Sequence, residues 1–83
     1  MTYKAQYKAS VKKDLRRIDK KEAKKILDII KSELADNPGK GKMLTGEYSE
    51  LYLYRVGNYR IVYALLKESI LILRIGHRKS IYI

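Results

Sequence analysis

Residues 51–82, LYLYRVGNYRIVYALLKESILILRIGHRKSIY, decide how this chain folds. The run Leu51–Val56 alternates into the pair Gly57-Asn58, and Tyr59–Leu66 runs back out. A glycine-first pair between two such runs suits the left-handed backbone of a tight hairpin. With a two-residue loop there, Val56 faces Tyr59 and Arg55 faces Arg60. Like charges opposed across an antiparallel pair destabilise it. Two guanidiniums placed that way call for an anion between them.

The same register sorts the hairpin into two faces. One carries Tyr52, Tyr54, Val56, Tyr59, Ile61, Tyr63 and Leu65. The other carries Leu51, Leu53, Arg55, Arg60, Val62, Ala64 and Leu66. Helices are expected over the tyrosine face, because arginines packed beneath a helix would need buried counter-charges. The arginine face then stays open, with Leu51, Leu53, Val62 and Leu66 as an apolar patch of the kind that marks a binding surface.

The rest of the chain supplies the cover. Met1–Tyr7 alternates Tyr3, Ala5 and Tyr7 against Thr2, Lys4 and Gln6, the pattern of a short strand. Ser10 is placed to cap a first helix, with Val11, Leu15 and Ile18 on one side. Asp19 followed by Glu22 has capping-box spacing and opens a second helix. Ala23, Ile26, Leu27, Ile30 and Leu34 form its apolar stripe, and Asn37-Pro38-Gly39 stops it. Lys20, Lys21, Lys24 and Lys25 read as a solvated helix surface. Pro38–Glu47 reads as a basic connecting loop; it lacks the spacing and the Gly-Lys-Ser/Thr ending of a P-loop. Ile70–Ile75 is a continuous apolar strand, Gly76 ends or bends it, and the tail His77-Arg78-Lys79-Ser80-Ile81-Tyr82 follows. These elements make one α+β domain over residues 1–83. Its antiparallel sheet is packed on one face by an N-terminal helical hairpin, in the order β-α-α-β-β-β.

Composition narrows the function. At 83 residues the chain forms a single small core of modest stability. Nineteen Lys+Arg against nine Asp+Glu give a formal charge of +10, which favours a polyanionic partner, nucleic acid before an acidic protein. The chain has no cysteine, so disulfides and thiolate metal sites are excluded and a reducing cytosol fits. No long apolar run opens the chain, so neither a signal peptide nor a membrane span is expected.

The candidate chemistry is equally narrow. A single histidine, no cysteine and no clustered carboxylates in the strand region argue against metal catalysis, and no cofactor is expected. No serine lies in a nucleophile elbow. Arginines, lysines, tyrosines and one histidine suit the cleavage of RNA by its own 2′-hydroxyl. There the protein holds the backbone in line, stabilises phosphorane charge and moves protons. Guanidinium forks match phosphate oxygens. A tyrosine or histidine can stack on an unpaired base or shuttle a proton. His77 taken alone is equally a surface residue, and eight tyrosines in a chain without Phe or Trp must also furnish the aromatic core.

The element order, with Leu44-x-Gly46, Tyr54-Arg55-Val56-Gly57-Asn58-Tyr59-Arg60-Ile61-Val62-Tyr63 and Gly76-His77-Arg78-Lys79-Ser80-Ile81-Tyr82, resembles the RelE/ParE toxin superfamily. The RVGNYR and GHRKSIY segments look more like the RelE branch than the ParE branch. Members of that branch are messenger-RNA interferases of toxin–antitoxin systems, which enter the ribosomal A site and cut the codon by 2′-hydroxyl attack without metal. The resemblance implies that Arg55, Arg60 and Arg78 are the basic catalytic positions and Tyr82 the stacking and proton-transfer tyrosine. His77 is a second candidate for proton transfer. Lys40, Lys42 and Lys79 are candidate RNA or ribosome contacts. A cognate antitoxin is expected over Leu51, Leu53, Val62 and Leu66, with the size of the toxin–antitoxin complex left open.

Two departures stand out. Leu53 occupies a position where ribosome-cutting members often carry a second basic residue. Tyr82 is followed by Ile83 alone, with no C-terminal helix to hold it. Each points to weaker cutting, or to binding without cutting. The other readings of the same residues are a ParE-type toxin that poisons DNA gyrase by binding, and a general RNA-binding module.

Overall fold

Alternation of apolar residues and one permissive glycine build the sheet. In the computed structural model, which describes residues 3–44 and 51–77, β1 is Lys4–Tyr7, α1 is Ala9–Arg16 and α2 is Lys20–Ile29. A π-helical turn, Ile30–Leu34, and a 3-10 turn, Pro38–Lys40, follow. Then come β2 (Lys42–Met43), β3 (Leu51–Val56), β4 (Tyr59–Leu65) and β5 (Ser69–His77). Gly57 adopts φ 59° at the hairpin turn, the conformation a first central residue needs in the tight turn that follows strand twist. Arg55 pairs with Arg60 and Val56 with Tyr59 across β3 and β4, the register expected from the sequence.

The strands lie in the order β1-β5-β4-β3-β2. The sheet is mixed rather than wholly antiparallel, because β1 runs parallel to β5, with Ala5 beside Ile70 and Tyr7 beside Ile72. That direction lets the chain leave β1 straight into α1, across the sheet. The stretch Pro38–Glu47, expected as loop, contributes β2, where Lys42 pairs with Leu53 and Met43 with Tyr52.

The core forms between the helices and the tyrosine face. Val11, Ile18, Ile26, Ile30 and Leu34 from the helical layer meet Val56, Ile61, Tyr63, Ile70, Ile72 and Ile75 from the sheet. Ile26, Ile30 and Leu34 are spaced by four, so in a regular helix each would drift about 40° from the last. The π-helical turn, closed by Ala35 N–H donating to the Ile30 carbonyl at 2.8 Å, holds Ile30 and Leu34 toward the sheet. Asp19 caps α2 as its spacing predicts, accepting from Lys21 N–H at 3.3 Å. Ser10 does not cap α1. It sits in the first turn, and its hydroxyl donates to the Leu73 carbonyl at 3.0 Å.

That bond belongs to a larger anchor. Beyond Tyr7, β1 no longer pairs with β5, and α1 takes over the edge. Lys8 N–H donates to the Ile72 carbonyl, then Ser10 to Leu73. Asp14, 7% exposed, accepts from Ile75 N–H at 3.0 Å. Its carboxylate also takes Arg74 Nε–H at 2.9 Å and Nη2–H at 3.2 Å. The pairing of β4 with β5 slips here: Val62 opposes Arg74, but Tyr63 opposes Ile72, so Leu73 is an extra residue. The bulge reverses the inward and outward parity of β5. It keeps Ile75 in the core although Ile70 and Ile72 are even-numbered.

Tyr63 secures the 3-10 turn. Its buried hydroxyl donates to the Pro38 carbonyl at 2.6 Å and accepts from Gly41 N–H at 3.1 Å, and burial pushes its pKa up. A Cβ on Gly41 would stand 2.5 Å from that hydroxyl, so only glycine permits this approach. Outside the turn, Glu33 accepts from Lys40 and from the Tyr54 hydroxyl, the latter at 3.2 Å. The Lys40 ammonium lies 5.8 Å from the Tyr54 ring centre.

Removal of the edge anchor should be costly. Asp14→Ala leaves Ile75 N–H unpaired beneath α1 and should destabilise the fold by about 1–3 kcal/mol. Asp14→Asn keeps an acceptor there and should cost less. Urea melts of both variants check this, and an Asp14→Ala protein as stable as the parent would remove the anchor from the account. The Glu33 contact makes a separate prediction. Hydrogen bonding to Lys40 holds the Glu33 carboxyl below its ordinary range, so the folded chain holds its proton less tightly than the unfolded chain. The stabilisation is therefore complete above the unfolded pKa and disappears as pH falls through the lower folded one. Melts of the parent and Glu33→Gln should differ slightly near neutrality and converge in acid. Added salt should shrink the gap, since the pair is exposed.

Candidate nucleic-acid interface

The face away from the helices gathers cations around a strip of leucine and valine. Arg55 on β3 and Arg60 on β4 are direct cross-strand neighbours, and Gly76 on β5 lies opposite Arg60. Opposed like charges cost about 0.2–1 kcal/mol in such a pair. Arg60 Nε is buried and has no hydrogen-bond partner among the described residues. A charged donor left without a partner is expensive, so Arg60 is held here at a cost. Arg55 is exposed, so its guanidinium is accessible to a ligand.

Lys42 joins this face. It lies directly opposite Leu53, and Lys42, Leu44, Leu53 and Arg55 line a shallow groove of about 480 Å³. The cation missing at position 53 therefore has a neighbour on β2. In the sequence Lys42 falls within an expected loop, because a two-residue strand offers no alternation. The apolar patch is narrower than its sequence pattern suggests. Val62 is only 2% exposed, whereas Leu66 is 44% exposed and Leu51 and Leu53 are half-buried. Val62 is thus part of the scaffold beneath the patch.

Two sequence candidates lie elsewhere. Lys40 is engaged with Glu33 and Tyr54 on the helix-covered side, apart from Lys42. His77 is the cross-strand partner of Tyr59, with ring centres 5.9 Å apart at 80°. It therefore shares the face of Tyr59, opposite to that of Arg55 and Arg60. Arg78, Lys79 and Tyr82 lie outside the described residues. Arg74, which sequence reading passed over inside an apolar strand, is half exposed and fixed by Asp14. Its signal in the sequence is a lone charge within a continuous apolar run.

Among the described residues no group of His, Cys, Asp and Glu could hold a metal ion. No described helix is long and apolar enough to cross a membrane.

Comparison with known proteins agrees with the fold. The family model described as the ParE toxin of type II toxin–antitoxin systems, parDE, matches residues 5–82. A toxin–antitoxin complex, RelBE2 from Mycobacterium tuberculosis, superimposes with a TM-score of 0.89 at 23% identity, over 96% of this chain and 95% of that one. The RelB–RelE antitoxin–toxin complex from Methanococcus jannaschii gives 0.74 at 34% identity, over 93% and 94%. A free-state mutant of the E. coli toxin RelE gives 0.79 at 19% identity, over 96% and 88%. A search of curated proteins returned no match. With the model spanning nearly all of the chain, and a RelE–RelB structure of this identity beside it, the chain belongs to the ParE toxin family of type II toxin–antitoxin systems, within the RelE/ParE superfamily.

Proposed function

We propose that this toxin cleaves messenger RNA on the ribosome, using the RNA's own 2′-hydroxyl as nucleophile. The observation that carries this reading is the Arg55–Arg60 pair on the open face, with Arg60 Nε buried and unpartnered among the described residues. A backbone phosphate seated between the two guanidiniums offsets their repulsion. When the 2′-oxygen attacks phosphorus, charge grows on the equatorial oxygens, where fixed guanidiniums stabilise it most. The bond to the 5′-oxygen then breaks, leaving a 2′,3′-cyclic phosphate and a 5′-hydroxyl. One group must take the 2′-hydroxyl proton and another must supply the 5′-oxygen. The resemblance of the GHRKSIY segment makes Tyr82 the proposed proton-transfer group and Arg78 a third cation for the phosphorane charge. His77 faces away from the arginine pair, which makes it the weaker candidate for proton transfer. Lys42 contacts the RNA backbone in the groove beside Arg55. Nothing in this scheme requires a divalent ion.

An antitoxin is the proposed protein partner. The M. tuberculosis and M. jannaschii relatives are complexes of toxin and antitoxin. In this chain Leu51, Leu53 and Leu66 offer an apolar seat beside the cations, so a segment with apolar anchors and acidic flanks would occlude Arg55 at the same time.

A second reading has its own observation. The matching family model is that of ParE, and Leu53 replaces a cation expected of a ribosome-cutting toxin. A binder of DNA gyrase without nuclease activity would use the same open face. Mapping the ends of a message incubated with programmed ribosomes separates the two. The proposal expects a 5′-hydroxyl fragment, and Arg60→Ala should lose cutting by a factor on the order of 10² to 10³ while folding normally. A 5′-phosphate end would demand a water nucleophile. Intact message together with inhibited supercoiling would favour the gyrase reading.

A further inference from the structure

A second cationic site lies at the β5 edge of the sheet, under the end of α1. Where α1 ends against β4 and β5, Asp14, Arg17, Tyr59, Arg74 and His77 line a cleft of about 240 Å³. Its floor is apolar, from Ile18 and Ile75. Arg74 is not a loose surface cation. Asp14 takes its Nε–H and one Nη2–H, and no described residue bonds Nη1. The guanidinium plane is thereby fixed while part of its fork remains available. Arg17 is exposed on the opposite wall, and no described residue bonds its side chain. Tyr59 and His77, in edge-to-face contact, supply aromatic surface beside the cations.

We propose that this cleft binds a single nucleotide, with the phosphate between Arg17 and Arg74 and the base against Tyr59 and His77. A fixed guanidinium beside aromatic rings is the combination that recognises an unpaired nucleotide. The cleft lies just below the usual range for small-molecule pockets, which begins at about 300 Å³. That size is on the scale of a single nucleotide. The Asp14 carboxylate does not oppose the phosphate directly, because both of its oxygens are occupied by Arg74 and Ile75. The site sits at the β5 edge beneath α1, where Arg74 reaches from the face it shares with Val62 to Asp14, and its occupation does not depend on whether the chain cuts RNA.

The test is an amide NMR titration of the whole chain with adenosine 5′-monophosphate, run beside adenosine and inorganic phosphate. Saturable shifts at Asp14, Tyr59, Ile75 and His77 are expected with the monophosphate. Phosphate should produce weaker ones and adenosine almost none. Arg17→Gln, a change on an exposed side chain, should weaken binding about five- to tenfold and leave thermal stability unchanged. Arg74→Lys keeps a charge beside Asp14 but loses the fork, and should weaken it as well. Shifts confined to the strands around Arg55 and Arg60 would overturn the proposal. So would an Arg17→Gln protein that binds as tightly as the parent, or phosphate binding as tight as that of the nucleotide. Because the readout is binding at the cleft, it leaves the cleavage reading untouched either way.

Discussion

The Asp14 carboxylate, buried where α1 crosses the edge of β5, is the contact on which the arrangement depends. A strand that loses its neighbour presents bare N–H and C=O groups. β1 covers β5 only through Tyr7, and the helix completes the edge with Lys8, Ser10 and Asp14 in turn. This fixes where the bulge falls. With Leu73 extra, Ile75 turns inward and Gly76 comes opposite Arg60. A slip of one residue would expose Ile75 and place a different neighbour beside the arginine. Helix docking and the geometry of the open face are therefore one constraint.

From that constraint the two faces acquire separate tasks. The helix-covered side uses tyrosines as core and as tethers. Tyr63 stacks on Tyr52 at 5.4 Å while its hydroxyl holds the 3-10 turn, and Tyr54 reaches Glu33. These bonds position β2 and so bring Lys42 to the groove. On the open side Arg55 and Arg60 have no carboxylate partner among the described residues. Among the described residues the only ion pairs are Lys40–Glu33, on the helix-covered side, and Arg74–Asp14, at the β5 edge. A face with arginines that lack a carboxylate among the described residues and with partly exposed leucines is poorly suited to solitary existence, which accords with membership of a toxin–antitoxin family.

Much of this was legible in the sequence. The alternation around Gly57-Asn58 gave the hairpin, its register and the division into faces, because a two-residue turn leaves no freedom in pairing. The α2 stripe and the Asp19 cap were equally plain. The parallel pairing of β1 was not, since nothing local distinguishes a strand that joins a neighbour more than sixty residues away. Nothing in the sequence singles out Asp14; its burial depends on a strand edge that periodicity does not reveal. The reading of Val62 as part of the patch followed from parity alone, which assigns a face but not how far neighbouring side chains close over it. Lys40 and Lys42, two residues apart, looked equivalent within one basic loop. A strand between Gly41 and Leu44 sends them to opposite sides.

The central claim is that Arg55 and Arg60 act as a unit on one phosphate. A double-mutant cycle on messenger-RNA cleavage tests it most directly, with Arg55→Ala, Arg60→Ala and the double variant compared in single turnover on programmed ribosomes. If the pair shares one phosphate, the double variant should lose little more than the worse single variant, as groups that act together do. Losses that simply multiply would show two arginines working on separate parts of the RNA, and would contradict the account.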